Sequence, residues 1–380
     1  MSDARLDTLA LTLDLMARAS VTPADAGCLD RIADELDAAG FECERMDAGP
    51  VANLWAVRRP TDPERLTLCL AGHTDVVPPG DEAAWTTPPF EPSVVDGELR
   101  GRGAADMKAA VAAMVTAAAA YARQGGRGGV ALLLTSDEEG PAVDGTRHVV
   151  ETLVARDAVP RWTLVGEPSS DQRLGDRMRV GRRGSLSCEM TIKGIQGHVA
   201  FPEAARNAIH EGIAFMDELA RTVWDEGVDG FPPTTLQWVG VHSGVARNVI
   251  PGELRASFNL RYSPALSAEQ IEAHVAERLA ASGLDHELVW RRAAAPFSSD
   301  GTDLADAVAA AVREHCGINP RRDCGGGTSD GRFLAAAGSE VVELGHVAGT
   351  IHAVDERIPA ADVPTLAAIY LTVMRRLLDA

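Results

Sequence analysis

Leu66-Thr-Leu-Cys-Leu-Ala-Gly-His-Thr-Asp75 decides how this chain is read. Its first six residues form a short, largely apolar run closed by Gly72, the pattern of a strand buried on both faces. Side chains alternate along an extended backbone, so His73 and Asp75 project to the same side. Asp75 is thereby placed to hold the far nitrogen of His73. An imidazole and a carboxylate set down together where a buried strand ends mark the usual location of a site in an open α/β sheet.

The same device recurs along the chain. Val130-Ala-Leu-Leu-Leu134 reads as a second buried strand that delivers Glu138 and Glu139, and Trp162-Thr-Leu-Val165 as a third that delivers Glu167. Ala105-Asp106-Met-Lys108 and Ile351-His352-Ala353 add a carboxylate and an imidazole. Taken singly, Asp75 reads as a turn residue, Asp106 as a cap for the alanine-rich helix that follows, and Gly166-Glu-Pro168 as a loop. Taken together, His73, Asp106, Glu139, Glu167 and His352 are two imidazoles and three carboxylates. That set suits two zinc ions if one carboxylate bridges them. Each ion then has one His, one terminal carboxylate and half of the bridge, and the site keeps about one net positive charge to polarise a water. Glu138 is left over as a general base.

A length of 380 residues predicts two domains. A net charge of -19 argues against nucleic acid, because no basic stripe is present to meet phosphates. Cys28, Cys43, Cys69, Cys188, Cys316 and Cys324 are dispersed without metal-binding spacing and read as reduced thiols rather than a disulfide framework. Asp3, Arg5, Asp7 and Asp14 interrupt the amino terminus while Leu6, Leu9, Leu13 and Met16 follow a helical stripe, which predicts a helix and no signal peptide. Ala109–Ala120, the longest apolar stretch, is too short to cross a bilayer. The expectation is a soluble, cytoplasmic protein with no membrane partner.

Residues 1–183 alternate helical and buried-strand patterns, as in an α/β layer with helices on both faces. From Ser185 the order changes to strand (186–192), helix (204–223), strand (234–241), strand (253–262), helix (267–281) and strand (287–291), the βαββαβ order of a ferredoxin-like sandwich. After Pro296 a helix (304–315), the run Gly325-Gly-Gly-Thr-Ser-Asp-Gly331 and a last strand (340–344) return to the α/β character. His352 has to join ligands from the first half, so 184–294 is predicted to be an insertion between 1–183 and 295–380. The glycine run lacks the Gly-Lys-Ser/Thr ending of a nucleotide loop and is read as backbone amides that, with Thr328, receive a substrate carboxylate.

As a group these motifs resemble the co-catalytic zinc aminoacylase and exopeptidase family, which includes acetylornithine deacetylase and glutamate carboxypeptidase. The match runs nearly end to end, through Ser20-Val-Thr-Pro-Ala-Asp-Ala-Gly-Cys28, Gly72-His-Thr-Asp-Val-Val-Pro-Pro-Gly80, Gly101-Arg-Gly-Ala-Ala-Asp-Met-Lys108, Thr135-Ser-Asp-Glu-Glu-Gly140, Gly194-Ile-Gln-Gly-His-Val-Ala200, Asn248-Val-Ile-Pro-Gly252 and Gly325-Gly-Gly-Thr-Ser-Asp-Gly-Arg332. The resemblance implies a di-zinc catalytic domain carrying an inserted lid and dimerisation domain, with two zinc ions per subunit for which cobalt can substitute. It implies that His73 and Glu167 hold one ion and Glu139 and His352 the other, with Asp106 bridging, Asp75 behind His73 and Glu138 as base. It also implies a cis peptide after Asp106. His198 is implied to reach the partner subunit's site in a homodimer and to stabilise the oxyanion, while Arg182, Ser185, Asn248, Arg261 and Thr328 line the substrate pocket.

The Ser-Val-Thr-Pro segment, the Gly-Ile-Gln-Gly-His run and the glycine loop point, within this resemblance, to hydrolysis of N-succinyl-L,L-2,6-diaminopimelate on the way to lysine and cell-wall precursors. Two positions depart from that pattern. Arg247 stands where asparagine is usual, beside the substrate, and Ala348 also replaces an asparagine, with His346 nearby in place of proline. Deacylation of another N-acyl amino acid such as acetylornithine is the alternative. A binding protein without turnover is a third reading, against which the unligated base Glu138 speaks.

Overall fold

The computed structural model describes residues 7–61, 67–228 and 230–379. Leu66, with Asp3, Arg5 and Leu6 of the predicted amino-terminal pattern, lies outside the described residues. The chain divides into two compact units, one made of 1–181, 298–323 and 329–380, the other of 182–297 and 324–328. The sequence places these divisions at 183/184 and 294/295. It also assigns the whole glycine loop to the catalytic part, whereas 324–328 groups with the second unit.

In the first unit the described strands form a sheet in the order Glu42–Arg45, Asn53–Arg58, Gly129–Thr135, Thr67–His73, Trp162–Val165, Glu340–Glu343, Arg177–Arg179 and Arg321–Asp323. The four strands 129–135, 67–73, 162–165 and 340–343 run parallel. Parallel strands need cover on both faces, which explains why Gly129–Thr135 and Trp162–Val165 are buried at every position. The register sets His73 beside Thr135 and Ala71 beside Val165, so the segments that follow leave the sheet at one edge. Helix Lys108–Arg123 starts by that edge and is buried on nearly every side. Its alanines permit a close approach, and so do two strand-end glycines. A Cβ on Gly72 would stand 2.4 Å from Met107 Cε, and one on Gly166 2.5 Å from Met114 Cε.

Helix Thr8–Met16 is capped by Asp7, whose carboxylate accepts from the Leu9 and Ala10 amides. Near its other end the buried Lys108 donates to Leu15 O (2.8 Å) and Arg18 O (2.6 Å), a cation at the negative end of a helix. This ties the amino-terminal helix to the Asp106 motif.

The second unit is an antiparallel sheet in the order Thr235–Ser243, Glu253–Tyr262, Gly184–Lys193, Asp285–Ala294, with helices Ala208–Ala220 and Ala268–Ser282. This is the ferredoxin-like βαββαβ arrangement. Phe258 anchors its core, with edge contacts to Trp238 (4.9 Å) and Trp290 (5.6 Å). The first helix starts at Ala208 rather than at 204. Asn207 caps it by accepting from Ile209 N, while Pro202–Ala204 form a separate 3-10 turn. Ser267, by contrast, caps the second helix in a full capping box with Gln270. The six cysteines are unpaired, and no helix among the described residues is long and apolar enough to cross a membrane.

Candidate metal centre and active site

The ligand motifs converge in the first unit. His73 Nε2 lies 3.0 Å from Asp106 Oδ1 and 3.7 Å from Glu167 Oε1. His352 Nε2 lies 3.0 Å from Glu139 Oε1 and 3.5 Å from Asp106 Oδ2. Asp106 thus turns one oxygen toward each imidazole. The peptide after it is cis. The helix that follows has Met107 at its cap position and no side-chain cap, so the cap reading of Asp106 does not apply.

Asp75 lies beside the far nitrogen of His73 and makes more bonds than the sequence shows. The closest partner of His73 Nδ1 is the Asp75 backbone carbonyl at 2.9 Å, with the carboxylate Oδ1 at 3.5 Å. A carbonyl can only accept, so Nδ1 carries a proton and Nε2 faces Asp106. The Asp75 carboxylate also accepts from the amides of Glu138 (3.4 Å) and Glu139 (3.1 Å). One buried residue therefore orients both the first imidazole and the Glu138-Glu139 turn.

The electrostatics of the metal-free chain are those of crowded acids. Burial, and the negative charges of Asp330, Asp106 and Glu139, push the Glu138 carboxyl up to about 8, against the opposing pull of His73. Burial and the charges of Asp106 and Glu138 raise Glu167 well above the usual carboxylate range. Hydrogen bonds to Asp106 and Glu139 push His352 up to about 10. Burial works against His73, yet bonds to Asp106 and Asp75 hold its imidazole well above its ordinary range.

The donor set fits a pair of divalent cations. His73, Asp106 and Glu139 offer ligand atoms all within 4.8 Å of one another, and so do His73, Glu138 and Glu167. Imidazole nitrogen and carboxylate oxygen are zinc ligands, and positive charge is what this concentration of carboxylates lacks. Glu138 stands within reach of whatever these ligands hold.

The residues expected to contact substrate lie in the second unit. His198 is exposed on a short ribbon in which 197–198 pairs with 249–250. Ala200 N donates to its Nδ1 (3.1 Å), which leaves the ring proton on Nε2 as a free donor. Asn248 adjoins it, its carbonyl accepting from Val199 N, and Arg247 is exposed beside it. Ser185 stands opposite Arg261 across paired strands, and its Oγ accepts from Asn259 Nδ2 (3.1 Å). Arg182 donates to Gly325 O (3.1 Å), so it meets the glycine loop that carries Thr328. Back in the first unit, Ala348 N donates to Ser170 O, and His346 is fully buried with neither ring nitrogen hydrogen-bonded. Burial pushes the His346 imidazole down to about 3.

Two residues escaped the sequence reading. Asp330 is buried beside Glu138 and is the largest charged influence on it. Glu356 is buried against the Asp106 turn. The only local signal for either was its place in a quoted or adjoining motif, Gly325–Arg332 for the first and the residues after His352 for the second.

The chain belongs to peptidase family M20/M25/M40, whose family model matches residues 69–376. It is 54% identical over 375 residues, 98% of this chain and 99% of the relative, to a protein named succinyl-diaminopimelate desuccinylase from Alkalilimnicola ehrlichii. It is 50% identical, with the same coverage, to one of that name from Xanthomonas euvesicatoria. Among solved structures, aminopeptidase PepT from Bacillus cereus shares the fold with a TM-score of 0.80 at 20% identity, covering 97% of this chain and 98% of that one. A dinuclear metal-binding M20 family peptidase from Bacillus subtilis does so at 0.74 and 16%, covering 98% of each.

Proposed function

We propose that this chain is a metal-dependent amide hydrolase that converts N-succinyl-L,L-2,6-diaminopimelate and water to succinate and L,L-2,6-diaminopimelate, in the lysine and diaminopimelate pathway. The observation that carries the chemistry is Asp106, with one oxygen toward each of two imidazoles and Glu138 alongside. The substrate rests on likeness of about 50% over nearly the full length to proteins named for that reaction. The reading includes a homodimer in the cytoplasm, with two zinc ions per subunit, or cobalt in their place.

His73 and Glu167 would hold one ion, Glu139 and His352 the other, with Asp106 shared. When bound, the ions supply Lewis acidity to a water and to the scissile carbonyl. Glu138 takes a proton as the water's oxygen bonds the succinyl carbonyl carbon, and passes it to the amine as the C–N bond breaks. His198 Nε2–H donates to the developing oxyanion. Arg182, Arg247 and Arg261 pair with the substrate's carboxylates, and Ser185, Asn248 and Thr328 hydrogen-bond to them.

The test is a side-by-side assay on zinc-loaded protein. An arginine at 247 adds a cation beside a substrate with carboxylates at both ends, whereas the far amine of acetylornithine is repelled by it. The succinyl substrate is expected to exceed acetylornithine in kcat/KM by at least about a hundredfold, roughly 2.7 kcal/mol. Arg247→Asn is expected to change KM more than kcat. Equal or better hydrolysis of acetylornithine would overturn the substrate while leaving the deacylase chemistry in place.

A further inference from the structure

Four residues after His352 comes Glu356, which is 1% exposed. Its carboxylate meets four donors. Oε2 accepts from Arg102 Nη1 (2.7 Å) and Gly103 N (3.1 Å). Oε1 accepts from Ala105 N (2.7 Å) and Asp106 N (3.0 Å). Gly101 N also donates to the Glu356 backbone carbonyl (3.0 Å). A buried carboxylate paired with a buried arginine is by itself ordinary structural cement. Here, however, three of the four side-chain bonds go to backbone amides of a single turn, and the last of them is the amide of the residue whose two oxygens face the two imidazoles.

The other end of the connection is equally fixed. His352 (φ 58°) and Asp355 (φ 56°) both hold left-handed backbone, which a residue with a Cβ keeps only where surrounding bonds over-determine it. Those bonds are present. The Asp355 carboxylate accepts from Thr86 N (2.7 Å) and Thr86 Oγ1, Thr350 Oγ1 donates to Arg357 O (2.8 Å), and Arg357–Pro359 pairs with Glu98–Arg100. The loop of one imidazole is thus bolted in place, and Glu356 extends from it to grip the turn of the shared carboxylate.

We propose that Glu356 is a positioning residue that locks the Asp106 turn to the His352 loop, so that the shared ligand and one imidazole are presented to the metals as one piece. This rests on the reading of Asp106 as the bridge. Partners that orient metal ligands typically change affinity 10–100-fold when altered.

The experiment titrates zinc into metal-free protein by calorimetry and follows cobalt by its visible absorption, with thermal unfolding in parallel. Wild type should take two equivalents, and failure to do so would sink the bridge reading rather than the role of Glu356. Glu356→Gln replaces one acceptor oxygen with a donor that faces N–H groups. It should weaken binding at least tenfold and alter the cobalt spectrum. Glu356→Asp keeps the charge but retracts both oxygens by one carbon, so it covers the case in which the glutamine variant does not fold. It should fold, bind two equivalents and weaken one of them about tenfold. Arg102→Gln leaves the amide bonds in place and should lower Tm while zinc affinity stays within threefold of wild type. Wild-type affinity and spectrum in Glu356→Asp, or in a folded Glu356→Gln, would overturn the proposal and leave a purely structural residue.

Discussion

The proposed division of work between adjacent glutamates rests on Asp75, which accepts both of their amides and fixes the turn from which their side chains diverge. Glu139 reaches His352, while Glu138 lies near His73 and Glu167. Glu138→Gln should therefore lower kcat by at least about 10²–10⁴-fold while elemental analysis still finds two metals. Loss of one metal, or near-normal turnover, would reverse the two roles. The titrating groups make a second prediction. In metal-free protein the folded chain keeps protons that the unfolded chain has released, on Glu138 from its ordinary 4.5 up to about 8 and on His352 from 6.5 up to about 10. Stability on this account falls as pH rises through that span. His346 acts at the other end. Its imidazole is pushed down to about 3, so the unfolded chain takes up a proton below 6.5 that the folded chain refuses, and stability falls as pH drops. The Tm of metal-free protein should peak on the acid side of neutral. Zinc should flatten the alkaline limb by replacing the protons, and His346→Leu should soften the acid limb. An alkaline limb unchanged by zinc would show that these groups do not titrate as a metal-displaced cluster.

Strand ends carry most of the site, and their spacing leaves little room. Gly345 follows the strand Glu340–Glu343, and a Cβ there would stand 2.3 Å from Gly166 O and 2.4 Å from Glu167 O, both backbone atoms. No rotamer relieves such a clash, so Gly345→Ala must push the two strand ends apart and move Glu167. The expected cost is about 1–3 kcal/mol of stability with weaker zinc binding, read by denaturant unfolding and by metal titration. Unchanged affinity would mean that Glu167 tolerates the shift. This dependence also explains what was readable in the sequence. A buried strand that stops at Gly72-His73 or Val165-Gly-Glu167 advertises its ligand locally, because the period-two pattern and the glycine stop sit within ten residues. The βαββαβ order was readable for the same reason, since each element carries its own period. Glu356 was not, because its donors lie some 250 residues away in sequence and no local pattern reports a bond of that separation. The further partners of the Asp75 carboxylate were not legible for a similar reason. Alternation sets the side to which it projects, toward the His73 ring, but does not report that the amides of Glu138 and Glu139, on a neighbouring strand end, also donate to it. The start of the helix at Ala208 was masked by apolar periodicity that runs back through a 3-10 turn, with Asn207 the only local stop.

At the scale of the whole molecule, the proposed chemistry is divided between the units. The metal-ligand candidates and Glu138 belong to one, and His198 with the residues proposed to bind substrate belongs to the other. His198 is exposed and presents Nε2–H as a donor, since Ala200 N occupies its Nδ1. A donor of this kind is worth about 10²–10³ in kcat when it meets an oxyanion, so His198→Ala should be nearly inactive yet stably folded. The proposed dimer supplies His198 across a two-fold axis, and the arithmetic of mixing tests this. When Glu138→Gln and His198→Ala subunits exchange freely, half of the dimers are mixed. Each mixed dimer has one doubly damaged site and one with both residues intact. Equal amounts should therefore recover about a quarter of wild-type activity. If His198 served its own chain, no mixture could combine an intact Glu138 with an intact His198. Absence of recovery, once exchange is verified by mass-tagged subunits, would remove the trans assignment and leave His198 acting within its own chain or not at all.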